Sequence, residues 1–524
     1  MKSLPFFYAL MCLVIFGASS FVNCKHALQM FQQNRYELYR YSKWLFDRKN
    51  YRFRNALIYS AIVLTVGILL RGYAPILCLL ITAAYAIFQL RKEQDRHYIK
   101  ELALTARVKR QIAVLSVLLL LFFYACIRIF PTFITGILSL AMPYLMIYPM
   151  AVLTAPMEEA IKKRYENEAR SILGQMDRLL KIGITGSYGK TSTKNIINDI
   201  ISDDRYTLIT PASYNTPMGI TRTVREQLKP IHEVFVCEMG ADKVSDITYL
   251  MDFVRPKYGV VTSIGPQHLA TFGSLDKIIH EKMQEAELLP EDGVAFLNID
   301  NEYIANYQLK NHCKVVTVGV HNENADYRAE DVEYSREGSS FTVKIDGRKH
   351  KFVCSLLGEH NVTNVLLGIA VAREMGMDVK QIVKKVKGIR QVEHRLEMKK
   401  INGFTFIDDA FNSNPVGSRM ALDVLSMMPG KRIIVTPGMI DLGTKQEEIN
   451  REFGAYMKDR ADEVLLVGEK QTEPIRKGLE DSGFDPDRIR VFRDVREAFA
   501  YIYKNCSVKD TILLENDLPD AFNV

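Results

Sequence analysis

The feature that most constrains the fold of this chain is a short glycine-rich turn between a strand-like run and a helical pattern. Apolar residues lead up to Thr185, the turn holds Gly186, Ser187 and Gly189, and the helical pattern starts at Lys190. Glycine lets backbone N–H groups come close to phosphate oxygens, and a helix N-terminus adds positive partial charge at the same place. The turn therefore predicts a strand–loop–helix unit that binds the phosphates of ATP.

The residues after the turn supply the groups that such a loop uses. Lys190 would reach the terminal phosphates, the Thr191 hydroxyl would hold Mg²⁺, and Ser192 belongs to the same predicted cofactor site. The spacing departs from the general loop G-x-x-x-x-G-K-[ST], because the position that needs glycine is Ile184. The string instead resembles T-G-[ST]-x-G-K-[ST], the loop of the Mur ligases and of the folylpolyglutamate synthases.

Short apolar runs alternate with helical patterns after this loop, which indicates parallel α/β sheets. The runs lie at residues 234–237, 259–262, 432–436 and 463–467. Ligands of such sheets bind at the carboxyl ends of the strands. Glu238 follows the first run and would be a hard oxygen ligand for Mg²⁺, whereas His268, after the second run, taken alone favours a structural loop histidine.

A second resemblance to the Mur ligases follows His268 in the chain. Residues 272–275 read Phe-Gly-Ser-Leu, and Lys282 lies at the offset where the MurF branch of the family has a carbamylated lysine. Carbamylation turns a cation into an anionic oxygen ligand, so the resemblance implies that Lys282 helps to hold a second Mg²⁺ together with Glu238 and His268. Without the resemblance, Lys282 reads as a solvated lysine on a helix surface.

Further strings resemble the family in order along the chain and add candidate residues for the nucleotide. These are Asn301 in 297–301, Asn361 in 358–364, Arg395 in 393–397 and Asp409 in 407–415. The resemblance implies that the asparagines support the nucleotide, that Arg395 contacts ATP phosphate, and that Asp409 helps to close the C-terminal domain. A turn-capping aspartate is the structural alternative for Asp409.

The resemblance covers residues 180 to about 470 and fails in four respects. The small UDP-sugar domain that begins the MurF ligases has no counterpart, and the N-x-N-N substrate segment is replaced by residues 214–219. An expected histidine is Asn450, and the terminal K-G-S is absent. The chemistry of the family therefore transfers to this chain better than its substrate does.

The first part of the chain holds nearly all of the long apolar runs. They lie at residues 4–22, 56–72, 74–90, 112–129 and 130–153. Each is near the length of about 17–25 residues that a spanning helix needs, and the basic loops 25–55 and 91–111 face the cytoplasm under the positive-inside rule. This predicts five spans with residues 154–524 inside. The alternatives are a cleaved first segment and buried helices of a soluble domain.

Charge and cysteine usage limit the partners. The net charge of +7 is concentrated between the apolar runs, so it does not indicate nucleic acid. The 8 cysteines are scattered with no C-x-x-C pair, which favours buried thiols in a reducing compartment over disulfides or zinc ligands.

Together these patterns predict an α-helical membrane region followed by α/β domains, a Mur-ligase central domain with the phosphate loop and a Rossmann-like C-terminal domain. The predicted boundaries are 1–153 for the membrane region, 154–178 for a linker helix, 179–390 for the central domain and 391–524 for the C-terminal domain. The predicted location is a bacterial cell membrane, crossed several times, with the catalytic domains in the cytoplasm.

The resemblance implies a ligase that uses ATP and Mg²⁺ to activate a carboxylate as an acyl phosphate, which an amine then converts to an amide. In the MurF branch, the amine is an amino acid or dipeptide of the D-Ala-D-Ala type, and the acceptor here would be a small-molecule or lipid-linked cell-wall peptide. A membrane ligase similar to the poly-γ-glutamate synthases and a non-catalytic membrane scaffold are the alternatives.

Overall fold

The computed structural model divides the chain into two compact units, of which the first ends at Lys163 and the second begins at Arg164. The residues that the structure describes are 6–47, 50–69, 74–94, 101–129, 132–335, 337–410, 414–440, 442 and 445–516.

The described part of the first unit is helical. Its helices are α1 (Phe6–Gln33), α2 (Leu38–Leu45), α3 (Tyr51–Leu69), α4 (Ala74–Gln94), α5 (Ala106–Ile129), α6 (Thr132–Leu145) and α7 (Ile147–Gly174), the last of which continues into the second unit. Buried aromatic and aliphatic side chains, among them Phe31, Tyr41, Leu115 and Tyr144, form its core.

The apolar runs coincide with helices, but the prediction of five spans is not confirmed. Within the described residues, only the stretches Ala106–Cys126 and Leu140–Gly174 are long and apolar enough to cross a membrane, judged by length and composition alone. The run 130–153 is divided, since α6 ends at Leu145 and α7 begins at Ile147. Residues 70–73 and 130–131, where tight turns between spans were expected, lie outside the described residues.

The second unit begins with a large, mostly parallel sheet. Its strands are β1 (Leu180–Thr185), β2 (Thr207–Ile209), β3 (Val234–Glu238), β4 (Tyr258–Val261), β5 (Val294–Asn298), β6 (Lys314–Gly319), β7 (Tyr327–Ser335), β8 (Gly338–Ile345) and β9 (Arg348–Cys354). The spatial order is β2-β3-β1-β4-β5-β6-β7-β8-β9, and only β8 and β9 join antiparallel. The carboxyl ends of β1, β3 and β4 are therefore neighbours.

Helices cover both faces of this sheet, and alternation along the strands explains why. On β3, Val236 packs in one core cluster with Ile196 and Ile200 of the helix that follows β1, whereas Phe235 and Cys237 pack in a second cluster. The helices are α8 (Lys190–Ile201), α9 (Pro217–Gln227), α10 (Asp246–Val254), α11 (Leu269–Phe272), α12 (Leu275–Glu287), α13 (Glu302–Ala305), α14 (Glu359–Glu374) and α15 (Val379–Lys387). A strand buried on both faces is what a parallel sheet requires.

A second sheet follows in the same unit, with the order β10-β11-β15-β12-β13-β14. Its strands are β10 (Glu397–Ile401), β11 (Phe404–Asp409), β12 (Arg432–Thr436), β13 (Glu463–Val467), β14 (Ile489–Phe492) and β15 (Thr511–Glu515). The helices are α16 (Pro415–Ser426), α17 (Gln446–Tyr456), α18 (Glu473–Asp481) and α19 (Val495–Asn505). Only β10 is antiparallel to its neighbour, so the predicted pair of α/β domains is confirmed.

Candidate active site

The glycine-rich loop leaves the carboxyl end of β1 and is held against the loop that follows β4. The Ser187 amide donates to the Ser263 carbonyl at 2.6 Å, and the Gly265 amide donates to the Ser187 hydroxyl at 3.1 Å. Gly186 has a φ of 146°, and a Cβ there would collide with the Thr262 hydroxyl. Glycine is therefore required at this position both by its conformation and by the close approach of the neighbouring strand end.

The end of the loop is supported from the other side by α14. Gly189 has a φ of 83°, and a Cβ added there would lie 2.8 Å from Asn364 Oδ1. The same oxygen accepts a hydrogen bond from the Thr193 hydroxyl at 3.0 Å. Asn364 in turn donates to Asn361 Oδ1 at 3.4 Å, and the Asn361 amide donates to the Leu357 carbonyl at 2.8 Å. The loop is thus rigidly held before any ligand arrives.

The predicted phosphate-binding side chains lie at the start of α8. Lys190 Nζ donates to the carbonyls of Gly186 and Ser187 at 2.6 and 3.1 Å. The pKa of Lys190 is lowered to about 8, mainly by burial and also by the charge of Arg395, while Glu238 opposes the shift. Thr191 is partly buried, and among the described residues its hydroxyl makes no side-chain hydrogen bond.

Glu238 ends β3 next to this loop and is almost completely buried. Its Oε1 accepts from Asn215 Nδ2 at 2.9 Å, and its Oε2 lies 3.2 Å from Lys194 Nζ. Burial would raise the pKa of Glu238, but the charges of Lys194 and Lys190 and the Asn215 hydrogen bond lower it below its ordinary value. The carboxylate therefore stays ionised, as a Mg²⁺ ligand must.

His268 lies at the N-terminus of α11 with a φ of 55°. Its Nε2 is 3.4 Å from Asp242 Oδ1, and the Asp242 carbonyl accepts a hydrogen bond from Thr271. The loop after β3 and the loop after β4 thus bring an imidazole and a carboxylate together. Asp242 was not among the predicted site residues.

Lys282 lies on α12, where it is buried rather than solvated, so the interpretation as a surface lysine is wrong. Only 2% of the residue is exposed. Burial lowers its pKa to about 7, the charge of Lys190 contributes, and Asp242 and Glu281 oppose the shift. A lysine with this pKa carries a large neutral fraction near neutral pH, and the neutral amine is the form that reacts with CO₂.

The second sheet contributes Arg395 and Asp409, which lie close together. Asp409 Oδ1 accepts the Leu396 amide at 3.1 Å, burial raises the pKa of Asp409 to about 6, and the Arg395 charge opposes that rise. The charge of Arg395 also lowers the pKa of Lys190. Arg395 therefore lies within electrostatic range of the phosphate loop. Asp409 interacts with the Arg395 charge and also accepts a backbone hydrogen bond from Leu396, as the structural alternative expected.

The predicted asparagines are engaged in structural hydrogen bonds. Asn301 caps α13 through Ile304, and its amide donates to the Ile264 carbonyl at 2.8 Å. Asn361 reaches the phosphate loop only through Asn364. Their contact with a nucleotide stays a prediction. Asn450, which stands where a histidine was expected, exchanges two hydrogen bonds of 2.9 Å with the backbone of Met439 after β12.

The side chains at this site include oxygen donors that suit Mg²⁺, but the described residues do not form a complete metal site by themselves. Among the described residues no three His, Cys, Asp or Glu side chains are grouped to hold a metal. Glu238 and the Thr191 hydroxyl are hard oxygen donors, and a carbamate on Lys282 would add another. Mg²⁺ is commonly bound by one or two carboxylates together with substrate phosphates, so an incomplete protein set is consistent with that ion.

Several residues of the site were not predicted from the sequence. Lys194, Asn215 and Thr262 lie on different segments and meet the predicted residues only through the sheet. The Thr262 hydroxyl donates to the Tyr188 carbonyl, which fixes the middle of the phosphate loop. The spacing of Lys194 one helical turn after Lys190 was the only available signal, since it places both lysines on one side of α8.

Comparisons with known proteins agree with this geometry. The Mur ligase middle domain matches residues 184–372, and the Mur ligase glutamate ligase domain matches residues 394–515. The chain is 30% identical over 338 residues to UDP-N-acetylmuramoyl-tripeptide–D-alanyl-D-alanine ligase of Bacillus subtilis, covering 64% of this chain and 72% of the relative. It is also 30% identical over 297 residues to the Escherichia coli enzyme of the same name, covering 56% of this chain and 65% of that relative.

Solved structures show the same fold. MurF from Acinetobacter baumannii superposes with a TM-score of 0.61 at 24% identity, over 68% of this chain and 77% of that one. MurF ligase from Thermotoga maritima in complex with ADP gives a TM-score of 0.61 at 22% identity, over 68% and 80% of the two chains. The chain belongs to the Mur ligase family of ATP-dependent acid–amino-acid ligases.

Proposed function

We propose that this protein adds D-alanyl-D-alanine, or a similar amino acid or dipeptide, to a peptidoglycan peptide precursor at the expense of ATP. The observation that carries the proposal is the meeting of Lys190, ionised Glu238 and buried Lys282 at the carboxyl ends of β1 and β3 and on α12. Two relatives that share about 30% identity with this chain are named for that reaction. A non-catalytic scaffold has no physical need to gather the partly buried Lys190 with the buried Lys282 and Glu238, because burial of each charge costs desolvation energy.

The reaction has two balanced steps. The acceptor carboxylate attacks the γ-phosphorus of ATP and releases ADP, which leaves an acyl phosphate; the amine then attacks the acyl carbon and releases phosphate and a proton. Lys190 neutralises charge on the transferring phosphoryl group, and the backbone amides at the start of α8 hold the phosphates in place. Arg395 faces the same loop and would complete the charge clamp from the second sheet.

Mg²⁺, when bound, supplies charge neutralisation at the phosphates. Thr191, Glu238 and His268 would hold it together with a carbamate on Lys282. That carbamate forms when the neutral amine adds to CO₂ and loses a proton, which leaves an anionic oxygen donor. Burial of Lys282 supports this modification because it keeps the amine neutral.

The test is phosphate release from ATP by the detergent-solubilised full chain. We expect release that depends on both UDP-N-acetylmuramoyl-tripeptide and D-Ala-D-Ala, with no release in a Lys190→Ala variant. Release that needs neither substrate, or that persists in the variant, contradicts the proposal.

We also propose that the first unit embeds the protein in a bacterial cell membrane, with the ligase domains on the cytoplasmic side. Among the described residues, large apolar side chains are exposed on several of its helices. They include Leu57, Ile62 and Leu69 on α3, Leu80 and Phe88 on α4, Leu120 and Leu121 on α5, and Val152 and Leu153 on α7. Apolar patches of this kind are rare on monomeric proteins in water and mark contact with lipid or a partner.

The membrane proposal has its own test. The basic segment 25–55 was expected to be a loop, but it holds the end of α1, all of α2 and the start of α3. A cysteine introduced into this segment should not react with an impermeant thiol reagent in intact cells. Labelling from outside contradicts the cytoplasmic placement of the segment. Extraction of the protein from membranes by alkaline carbonate contradicts embedding altogether.

A lipid-linked acceptor is a second candidate, since a membrane unit stands where the MurF ligases have a UDP-sugar domain. The discriminating measurement compares a lipid-linked muramoyl peptide with its UDP-linked equivalent at equal concentration in mixed micelles. A higher kcat/KM for the lipid-linked compound favours this candidate, and a higher value for the UDP-linked compound contradicts it.

A further inference from the structure

Lys194 is a buried lysine next to the phosphate loop, and the reaction described above gives it no role. It lies on α8 and is only 1% exposed, which places it among the largest fully buried side chains of the described residues. A buried ammonium is costly unless anions and acceptors surround it. Its surroundings therefore show what this residue is for.

Two segments that are distant in the chain meet at the Lys194 ammonium. Nζ lies 3.2 Å from Glu238 Oε2 at the end of β3, and it donates a short hydrogen bond to the Ala212 carbonyl in the loop after β2. Ala212 has a φ of 43°, which an alanine adopts only where its surroundings require it. Lys194 thus ties a strained loop to the carboxylate.

The same loop holds the other oxygen of the carboxylate. Asn215 Nδ2 donates to Glu238 Oε1 at 2.9 Å, and the Gly240 amide donates to the Asn215 carbonyl at 2.8 Å. A Cβ added at Gly240 would lie 2.8 Å from the Asn215 side chain, so glycine makes room for this contact. Each oxygen of Glu238 consequently has one donor from the protein and retains a lone pair for a ligand.

We infer that Lys194 is a positioning residue that orients Glu238 for the metal and links that orientation to the loop 210–216. This rests on the proposed function, in which Glu238 is a Mg²⁺ ligand and residues 214–219 replace the family's substrate segment. The Lys194 ammonium is engaged by Glu238 and by the Ala212 carbonyl, so its assigned role is to position the carboxylate and not to contact the reacting groups. A displacement of the loop would move the Ala212 carbonyl and the Asn215 amide together, and with them both oxygens of the metal ligand.

The direction in which Mn²⁺ affinity changes when Lys194 is replaced distinguishes a positioning role from a purely electrostatic one. Mn²⁺ binding is followed by electron paramagnetic resonance on the full chain in detergent, with a non-hydrolysable ATP analogue present. If Lys194 only adds positive charge beside a metal ligand, Lys194→Met should tighten Mn²⁺ binding. If Lys194 orients Glu238, the same variant should weaken Mn²⁺ binding about tenfold or more despite the lost cation.

Lys384→Met is the matched control, because Lys384 is an exposed lysine on α15 away from the site. It should bind Mn²⁺ like the unaltered protein. Unchanged or tighter Mn²⁺ binding by a folded Lys194→Met variant overturns the inference.

Removal of one partner from a buried ion pair often destabilises a protein, so Lys194→Met could fail to fold. Asn215→Ala then decides the question, since it removes the neutral donor to the other oxygen and leaves the ion pair intact. Weaker Mn²⁺ binding by Asn215→Ala supports the inference that these donors orient the Glu238 carboxylate. Unchanged Mn²⁺ binding overturns it. Mn²⁺ binding is measured without an acceptor. If the unaltered protein does not ligate the proposed substrates, the proposed function is rejected, but the Mn²⁺ affinities of the variants still test the role of Lys194.

Discussion

In proteins that fold in water, apolar side chains mostly lie inside and charged side chains outside, and the two units of this protein depart from that rule in opposite ways. In the first unit large apolar side chains lie on the outside of the helices, whereas in the second unit charged side chains such as Lys194, Glu238, Lys282 and Glu285 lie inside. Each departure is costly in water, and each is found where a function is proposed. Outward apolar groups suit a lipid solvent, and inward charges suit phosphate and metal chemistry.

The largest expected effect comes from the inward charges at the phosphate loop. Lys190→Ala should reduce ATP turnover by about a thousandfold or more, since charge neutralisation at the phosphoryl group is the main source of catalysis. Single-turnover phosphate release measures it. Turnover within tenfold of the unaltered protein would show that Lys190 is structural.

Lys282→Ala should lose ligation by about a hundredfold, because the amine that would carry the carbamate is gone. Acetate or formate at high concentration should restore part of the rate by supplying a carboxylate in the vacated space. The matched control is Lys277→Ala on the exposed side of the same helix, which should be unaffected by the added acid. Full activity of Lys282→Ala without rescue would reject its assignment to the metal site.

The pKa of Lys282 predicts a pH dependence for the same modification. Because burial lowers that pKa to about 7, the neutral amine that adds to CO₂ is scarce below pH 6 and predominates above pH 8. After depletion of CO₂, ligase activity should therefore recover faster at pH 8 than at pH 6 when dissolved CO₂ is restored to the same concentration at both pH values. Equal recovery rates at the two pH values would contradict a titrating amine.

Glu285 is a buried carboxyl group to which the proposed reaction gives no role. Its carboxylate oxygens are buried without a hydrogen-bond partner, and a Cβ added at Gly183 would collide with it. Burial raises its pKa from 4.5 to about 8, so the unfolded chain releases this proton at lower pH than the folded protein does. Its contribution to stability is therefore fully present below about pH 4.5 and is lost as the pH rises toward 8.

Glu285→Gln should remove this dependence. The variant should be more stable than the unaltered protein at pH 8, by on the order of a few kcal/mol, and should differ little at pH 5. Melting temperatures at both pH values measure the effect. A variant that is less stable at pH 8 would show that Glu285 is ionised and paired in the folded protein.

The smallest effect on the ligase is expected from the outward apolar groups. Leu120 and Leu121 are both exposed on α5. Their double replacement by serine should leave ATP turnover in detergent unchanged and should weaken association with liposomes. Unaltered liposome association would remove these side chains from the proposed lipid contact.

The sequence predicted the elements of the second unit well, because their signals are local. Residues in the same short stretch of chain determine the turn at Gly186 and Gly189, the strand β3 and the helix that begins at Lys190. The first unit was predicted less well. The described parts of the apolar runs are helical, although the run 130–153 is divided between α6 and α7. Apolar composition does not distinguish a helix that spans a membrane from one that packs against its neighbours, and five spans are not confirmed.

The phosphate loop, the strand-to-helix order and the Mur ligase resemblance follow from the sequence alone, since glycine turns, apolar periodicity and short motifs act over a few residues. Contacts in the folded protein were needed to show that Lys282 is buried, that Lys194 and Asn215 hold the two oxygens of Glu238, and that Gly183 makes room for Glu285. These contacts join segments far apart in the chain, and the order of strands in the sheet sets which segments meet. Burial then shifts the pKa values on which the proposed chemistry depends, and apolar periodicity does not indicate which charged side chains are buried.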